Sequence, residues 1–204
     1  MAETPRLLVA THNEGKVKEI RGLLEGLPLD VRWLSEFGHI PEAEETGATF
    51  LENAVLKARH YSSLSGLLTL SDDSGLEVVA LGGAPGVHSA RYGGRGLPYP
   101  EKMARLLSEL SAAKTEDRRA RFTCVIALAD PLTGEINTFE GVCEGRLAHA
   151  PRGSGGFGYD PLFVPDGHAQ TFGELPPEVK KGLSHRALAL AKACAFLRER
   201  FSAP

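Results

Sequence analysis

The sequence SDDSGLEVVALGGAPGVHSARYGG, residues 71–94, decides how the rest of the chain is interpreted. It follows the short apolar run 67–70, which is typical of a buried strand and is preceded by Gly66. We therefore predict that Asp72 and Asp73 lie at the carboxyl end of a strand, where open α/β sheets bind their ligands. Neighbouring side chains of an extended backbone point in opposite directions, so the two aspartates are expected to have different roles.

Turn-forming residues punctuate the rest of this stretch. An Asp-Asp-Ser-Gly sequence taken alone is equally typical of a simple polar turn. Three further glycine-containing pairs follow it, and they favour a shaped functional loop: Gly82-Gly83, Pro85-Gly86 and Gly93-Gly94.

Length and composition limit the classes of protein that the chain can belong to. Its 204 residues are enough for one substantial domain, which we predict over residues 1–204. A net charge of −3 gives no basic face for nucleic acid, and no apolar run approaches the ~20 residues of a membrane span. Three cysteines without C-x-x-C spacing argue against a disulfide framework or a zinc site, and we predict a cytoplasmic protein.

Hydrophobic spacing predicts alternating strands and helices along the chain. Thr49 is the predicted cap of a long helix, with Glu52 in the capping-box position. We expect one α/β fold with a long, partly antiparallel sheet. The predicted strands are residues 6–10, 31–34, 67–70, 76–80, 121–130, 136–147 and 161–165, and the other predicted helices are residues 16–27, 100–110 and 184–201.

The hexapeptide THNEGK, at residues 11–16, combines a predicted helix start with a glycine and a lysine, as phosphate-binding loops do. It is not a Walker A loop, because Ala10 and Val17 stand where that motif needs Gly and Ser or Thr. The alternative is a plain helix cap followed by a solvated Lys16.

The sequence GSGGFG, residues 153–158, matches the dinucleotide-binding pattern G-x-G-x-x-G. We reject that interpretation because the loop lies between Pro151 and Pro161 and is followed by a predicted strand instead of a helix. Aromatic side chains among glycines can approach a flat base closely, so Phe157 and Tyr159 are candidates for base stacking. Ordinary packing of a loop aromatic is the alternative.

Basic residues and carboxylates complete the set of candidate functional groups. An arginine at a helix start opposes the helix dipole, and a bound anion would account for it; a solvated basic patch is the alternative. Loop carboxylates could hold one Mg²⁺ shared with substrate phosphates. Together they predict a site for a metal, a polyphosphate and a base. The hydrogen-bond donors around the helix start are the basic residues Lys180, Lys181, His185 and Arg186 together with Ser184, and the acidic residues are Glu44, Glu45, Asp72 and Asp73.

The motifs also carry a family resemblance over nearly the whole chain. In order they are THNEGK, EETGATFLENA, SDDSGLEV, PGVHSARY, GFGYDPLF and KKGLSHR. The chain resembles the inosine triphosphate pyrophosphatase family (Ham1-like, bacterial non-canonical purine nucleoside triphosphate pyrophosphatases). The resemblance implies an elongated mixed β-sheet flanked by helices, two lobes with a central substrate cleft, and a homodimer.

The resemblance also implies an activity: Mg²⁺-dependent hydrolysis of XTP, ITP or dITP to the monophosphate and pyrophosphate, which cleanses the nucleotide pool. A non-catalytic nucleotide-binding or regulatory module on the same scaffold is the alternative. By resemblance, Asp73 is the catalytic base and a metal ligand, together with Glu44 or Glu45. The implied substrate-binding residues are Thr11, His12, Asn13, Glu14, Gly15, Lys16, Lys57, Ser74, Phe157, Gly158, Tyr159, Asp160, Lys180, His185 and Arg186.

Selectivity for the base is the boldest expectation. His185 and Arg186, near a helix start, could donate N–H groups to the 6-oxo oxygen of a purine. The amino group of adenine is itself a donor, so these N–H groups would face another donor and find no acceptor. Unpaired buried donors cost about 1–3 kcal/mol each. The resemblance implies that ITP and XTP are accepted and ATP is refused, and we predict that Arg186 reads the base.

Overall fold

Strand β1 (Arg6–Val9) is the centre of a parallel trio. It pairs with β2 (Asp30–Trp33) on one side and with β3 (Leu68–Val78) on the other, in the register Leu7↔Val31 and Leu7↔Leu68. Three of its four residues are fully buried, as expected for a strand covered on both faces. The computed structural model describes residues 4–38 and 40–201 of the chain.

A single mixed sheet is flanked by helices, as the sequence predicted. Its strand order is β2-β1-β3-β4-β5-β6, and β5 and β6 pair antiparallel. The remaining strands are β4 (Arg119–Ala129), β5 (Ile136–Leu147) and β6 (Phe163–Pro165). The α-helices of the described residues are α1 (Glu14–Leu24), α2 (Phe50–Ser65), α3 (Tyr99–Ala112), α4 (Pro177–Leu183) and α5 (His185–Phe201).

The chain divides into two compact units, each with its own apolar core. Unit 1 comprises Met1–Asp73, Cys124–Gly141 and Arg186–Pro204, and unit 2 comprises Ser74–Thr123 and Val142–His185. The core of unit 1 is formed by β1, α1, β4 and α5, and that of unit 2 by α3, β4, β5 and aromatic residues around β6. Strands β3, β4 and β5 each contribute residues to both units. That residues 1–204 form a single domain stays a prediction.

The prediction of two short strands at 67–70 and 76–80 was wrong. They are one strand, β3, and Asp72 and Asp73 lie in its interior instead of at its end. Some buried polar residues of β3 are satisfied by distant groups: the Ser71 hydroxyl donates to the Ala54 carbonyl at 2.6 Å, for example. Pairing with β1 ends at Leu70, so the aspartates do lie past the carboxyl end of that neighbouring strand.

The start of α2 was correctly predicted from the residues around Thr49. The Thr49 side chain accepts from the Glu52 N–H at 3.1 Å, as predicted, while the Glu52 carboxylate accepts from the N–H of Ala48 at 2.7 Å. Gly66 ends the helix in the left-handed conformation. Helix α4 was not predicted, because its seven residues are too few to show a period; Lys180 belongs to it and not to the start of α5.

None of the helices in the described part of the chain is both long and apolar enough to cross a bilayer. The three cysteines are free and buried.

Candidate active site

The loop between β1 and α1 is closed by its own side chains. Asn13 caps α1 by accepting from the Lys16 N–H at 3.1 Å, and the Thr11 hydroxyl accepts from the Asn13 N–H at 3.2 Å. His12 and Glu14 are exposed. The plain cap that was the alternative interpretation is therefore present, and phosphate binding by residues 11–16 stays a prediction.

Lys16 is not solvated, because its side chain turns onto the interior of β3. Its ammonium forms an ion pair with Asp72 Oδ1 and also approaches the Asp72 carbonyl at 3.4 Å. The Asp72 side chain is completely buried, and its second oxygen, Oδ2, accepts a hydrogen bond from Arg186 Nε–H at 2.8 Å. The Cys124 thiol, on β4, donates to the same oxygen at 3.0 Å. Asp72 thus joins β3, α1, α5 and β4 in one buried cluster.

The charges of this cluster compensate one another. Burial by itself would raise the pKa of Asp72, but the cations of Arg186 and Lys16 outweigh it, so that this pKa lies well below its usual range. Burial would likewise lower the pKa of Arg186, and its ion pairs with Asp72 and Glu19 raise it instead. Asp72 and Arg186 therefore remain charged at neutral pH.

This placement revises the expectation for Arg186. The sequence suggested an anion at the start of α5, and the anions are carboxylates of the chain itself, Asp72 and Glu19. The guanidinium is 2% exposed, so it does not stand open at a helix end as an available donor. Its contact with a substrate base stays a prediction, and its structural role in the buried cluster is the new observation.

Asp73 points away from Asp72, as alternation along a strand requires, and meets a different lysine. Lys57 Nζ lies 2.7 Å from Asp73 Oδ1 and 2.8 Å from Glu45 Oε1. The second oxygen of Asp73, Oδ2, is buried and has no hydrogen-bond partner among the described residues. Burial raises the pKa of Asp73, and the opposing effects of Lys57 and Lys16 do not cancel that rise. The result is a buried carboxylate with one oxygen available for chemistry.

Helix α2 holds the acidic loop that carries Glu45. Three contacts fasten residues 41–47 to the helix: the Pro41 carbonyl lies 2.7 Å from His60 Nε2, the Ala43 N–H donates to the Tyr61 hydroxyl at 3.4 Å, and the Gly47 N–H donates to Asn53 Oδ1 at 2.8 Å. A Cβ on Gly47 would lie 2.6 Å from the Cβ of Glu52, so this close approach requires glycine. Since Lys57 is on the same helix, α2 positions both the lysine and its acidic partner.

The sequence left the choice between Glu44 and Glu45 as metal ligand open, and the structure places the two side chains differently. Glu45 shares Lys57 with Asp73, whereas the Glu44 side chain is exposed. No group of three metal-binding side chains occurs among residues 4–38 and 40–201. Mg²⁺ needs only one or two carboxylates when substrate phosphates and water complete its shell. Glu45 and Asp73, which already share the Lys57 cation, therefore fit a magnesium ion.

In unit 2, the glycine loop is folded around Asp160. Its Oδ2 accepts from the Phe157 N–H at 2.7 Å and pairs with Lys180 at 2.5 Å. Lys180 also lies over the Phe157 ring, 5.0 Å from its centroid. Gly156 has a φ of +69°, and a Cβ there would lie 2.0 Å from Asp160 Oδ2. These contacts present a half-buried aromatic ring beside a lysine.

Tyr159 and His185 are more deeply buried than the sequence suggested. Tyr159 is 3% exposed in the unit 2 core, and its hydroxyl donates to the Ser89 carbonyl at 3.1 Å. Its ring is therefore packed in the core, which makes Phe157 the better stacking candidate, and a contact of Tyr159 with the substrate stays a prediction. His185 is buried and stacks on Phe122 with ring centroids 4.6 Å apart. Gly158 adjoins the Tyr99 ring, and Ser74 lies half-buried on β3.

Sequence reasoning missed the roles of three residues that organise unit 1. Asp72 was noticed but given no partner within the chain, and Glu19 and Asn53 were not singled out. Asp72 could have been identified from the alternation of β3 had the strand been recognised as continuous. Glu19 and Asn53 carry no distinctive local signal, because their roles depend on partners that only the fold brings close.

Comparison with known proteins agrees with these motifs. The sequence profile of the Ham1 family matches residues 7–196. The chain belongs to the Ham1 family. A dITP/XTP pyrophosphatase of Geobacter sulfurreducens is 50% identical over 186 residues, which are 91% of this chain and 93% of the relative. A dITP/XTP pyrophosphatase of Caulobacter vibrioides is 48% identical over 192 residues, 94% of this chain and 97% of the relative.

Solved structures of Ham1 relatives share the fold. A HAM1 protein from Coxiella burnetii superposes with a TM-score of 0.89 at 42% identity, over 96% of this chain and 99% of the other. A nucleoside-triphosphatase, or dITP/XTP pyrophosphatase, from Mycobacterium abscessus gives a TM-score of 0.76 at 43% identity, over 92% and 98%. The mixed sheet flanked by helices is thus confirmed as a Ham1 fold.

Proposed function

We propose that this Ham1-family chain is a nucleoside triphosphate pyrophosphatase that hydrolyses dITP, ITP and XTP to the monophosphate and pyrophosphate. The relatives named as dITP/XTP pyrophosphatases, about half identical over nearly their full length, support this activity. The observation that carries it is Asp73, a buried carboxylate with an unpartnered oxygen beside Lys57 and Glu45. The named relatives are enzymes, so nothing supports the alternative of a non-catalytic nucleotide-binding module.

Glu45 and Asp73 would hold the metal, which we propose to be Mg²⁺ because both ligands are carboxylate oxygens. When bound, it supplies positive charge that offsets the charge of the phosphates. Asp73 accepts the proton of the attacking water at Oδ2, the oxygen that no described donor occupies. The raised pKa of Asp73 makes it a stronger base than an exposed aspartate. Lys16 and Lys57 offset charge on the departing pyrophosphate.

For the base, we propose contacts from unit 2. The half-buried Phe157 ring stacks on the purine, and the Lys180–Asp160 pair next to it supplies a donor and an acceptor to the base edge. Further proposed contacts to the nucleoside come from Gly158, Tyr159, His185 and Arg186. Ser74 is proposed to contact the substrate, and residues 11–16 to contact the triphosphate.

Finer properties are also proposed here. The three cysteines are free and buried, which supports a reducing compartment such as the cytoplasm. We further propose a homodimer, for which light scattering should give twice the chain mass of 21.9 kDa.

The test of the activity is a product assay. Purified protein with dITP or XTP should release pyrophosphate only when Mg²⁺ is present, and dATP should give much less. Release of orthophosphate in place of pyrophosphate would mean that the terminal phosphate is removed and that the proposed reaction is wrong. Stoichiometric binding of dITP without any product would favour a binding module.

A further inference from the structure

Lys57 occupies a defined position between two carboxylates. Its ammonium lies 2.7 Å from Asp73 Oδ1 and 2.8 Å from Glu45 Oε1, and its side chain is 12% exposed. These are full charge-assisted hydrogen bonds and not a loose surface contact. The lysine thus joins β3 to the acidic loop of α2.

The same two oxygens belong to the pair of carboxylates that fits a divalent cation. A metal held by Glu45 and Asp73 would meet the Lys57 ammonium at close range, and two cations at such a distance in a buried site repel strongly. Because Asp73 Oδ2 is the oxygen assigned to the proton of the attacking water, the metal would use the two oxygens that Lys57 holds. The lysine and the metal therefore compete for Asp73 Oδ1 and Glu45 Oε1.

We propose that Lys57 is a stand-in cation: its ammonium bridges Glu45 and Asp73 in the metal-free protein and leaves them when the divalent ion binds, which makes it available to the triphosphate. The inference rests on the proposed metal site. It gives Lys57 two successive sets of partners, carboxylates first and phosphate oxygens afterwards. The four-carbon stem of lysine permits this movement without a change in α2.

The burial of Lys57 agrees with this role. Burial alone would lower the pKa of Lys57, but Asp73 and Glu45 outweigh it and raise that pKa. The side chain is therefore a cation before any ligand arrives, and it keeps two like-charged carboxylates together.

The first experiment measures metal binding without nucleotide, by titrating MnCl₂ and following the free-ion signal in electron paramagnetic resonance. The variant Lys57→Met should bind Mn²⁺ at least tenfold more tightly than the unmodified protein, because the competing cation is gone. Lys57→Arg, which retains the charge, should bind Mn²⁺ with an affinity close to that of the unmodified protein. Lys18→Met is the matched control, since it removes one exposed lysine of unit 1 and should change nothing. A folded Lys57→Met that binds Mn²⁺ no more tightly overturns the proposal.

The second arm tests the opposite effect on the nucleotide. With saturating Mg²⁺, Lys57→Met should bind the non-hydrolysable α,β-imido analogue of dITP at least tenfold more weakly by calorimetry, while it binds dIMP nearly as before. A lysine with a merely structural role would weaken metal and nucleotide together. Equal losses for the two nucleotides would therefore contradict the transfer of Lys57 to the phosphates.

A third measurement needs no variant and decides the question if Lys57→Met does not fold. Lysine acetylation by acetic anhydride, read by mass spectrometry, should be slow at Lys57 in metal-free protein. It should rise severalfold with MgCl₂ alone and fall again with the imido analogue. An unchanged rate at saturating MgCl₂ overturns the proposal. If Lys57 responds but no pyrophosphate is formed in the product assay, the proposed reaction fails while the competition stands; if pyrophosphate forms but Lys57 does not respond, only the competition fails.

Discussion

At the scale of single residues, Asp73 is the group on which the chemistry depends. Its pKa is raised by burial, against the opposing influence of Lys57 and Lys16. A carboxylic acid with a raised folded-state pKa is stabilising in its protonated form and loses that contribution as pH rises through the folded pKa. Catalysis needs the deprotonated form, so the rate should fall as the pH drops through that raised value.

We predict that Asp73→Asn lowers the rate of pyrophosphate release at saturating Mg²⁺ by at least ~10²-fold, as expected for a lost general base. The amide oxygen can still accept from Lys57, so the free energy of unfolding should change little. Asp117→Asn serves as the control, because Asp117 pairs with the nearby Arg119 in unit 2. A near-normal kcat in Asp73→Asn would remove Asp73 from the mechanism.

At the scale of secondary-structure elements, the Asp72 cluster connects β3 with α1, α5 and β4. We predict that Asp72→Asn destabilises the protein at pH 7 by about 3–5 kcal/mol, because it leaves Arg186 and Lys16 without their shared anion. The folded-state pKa of Asp72 is depressed, so its stabilising contribution is full above the unfolded value of ~3.9 and is lost as pH falls below it. The difference between the two proteins in urea unfolding should therefore shrink between pH 5 and pH 2.5. A constant difference would show that charge is not its cause.

The glycine loop of unit 2 gives a second prediction at this scale. Gly156→Ala should raise KM for dITP by roughly 10- to 100-fold, because the added methyl group would displace Asp160 from Phe157 and Lys180 and charged hydrogen bonds of this kind are worth about 1.5–3 kcal/mol. Gly167→Ala is the matched control: Gly167 also has a positive φ, +79°, but no atom lies within 4 Å of its added Cβ. Equal effects of the two substitutions would mean that backbone strain, and not Asp160, is responsible.

Elements with local signals were predictable from the sequence, and those with distant partners were not. The cap at Thr49 was recognisable because donor and acceptor are three residues apart. Strand β3 was divided in two because Asp72-Asp73-Ser74-Gly75 has the composition of a turn, and what keeps it extended and buried is Lys16 and Arg186, 56 and 114 residues away.

The same distinction applies to the candidate site. Its residue types were identifiable by motif, and the expected difference between Asp72 and Asp73 agrees with their separate partners. The partners themselves were not identifiable: Arg186 was expected at a substrate base and lies against carboxylates of its own chain, and Lys57 was expected on phosphate and lies between Glu45 and Asp73. Sequence motifs report which groups a site contains, and packing decides what those groups contact.

At the scale of the whole molecule, three strands contribute residues to both units, so we predict that the chain unfolds as one domain. Calorimetry should give a single transition whose van't Hoff and calorimetric enthalpies agree. Leu190→Ala in the unit 1 core and Phe163→Ala in the unit 2 core should lower the midpoint of that same transition, each costing about 2–5 kcal/mol. Fluorescence of Trp33, the single tryptophan, should follow far-UV circular dichroism. Two transitions in either variant would contradict the single domain.

The burial of all three cysteines has a practical consequence. Cys124 and Cys194 belong to unit 1 and Cys143 to unit 2, and burial raises the pKa of each thiol, in the case of Cys143 to about 12. A thiolate is the form that reacts with alkylating reagents, so the folded protein should be almost inert to them. Every alkylated molecule is therefore one that has opened. If the chain opens as one domain, Cys143 and the other two cysteines should gain the added mass together in the same sample.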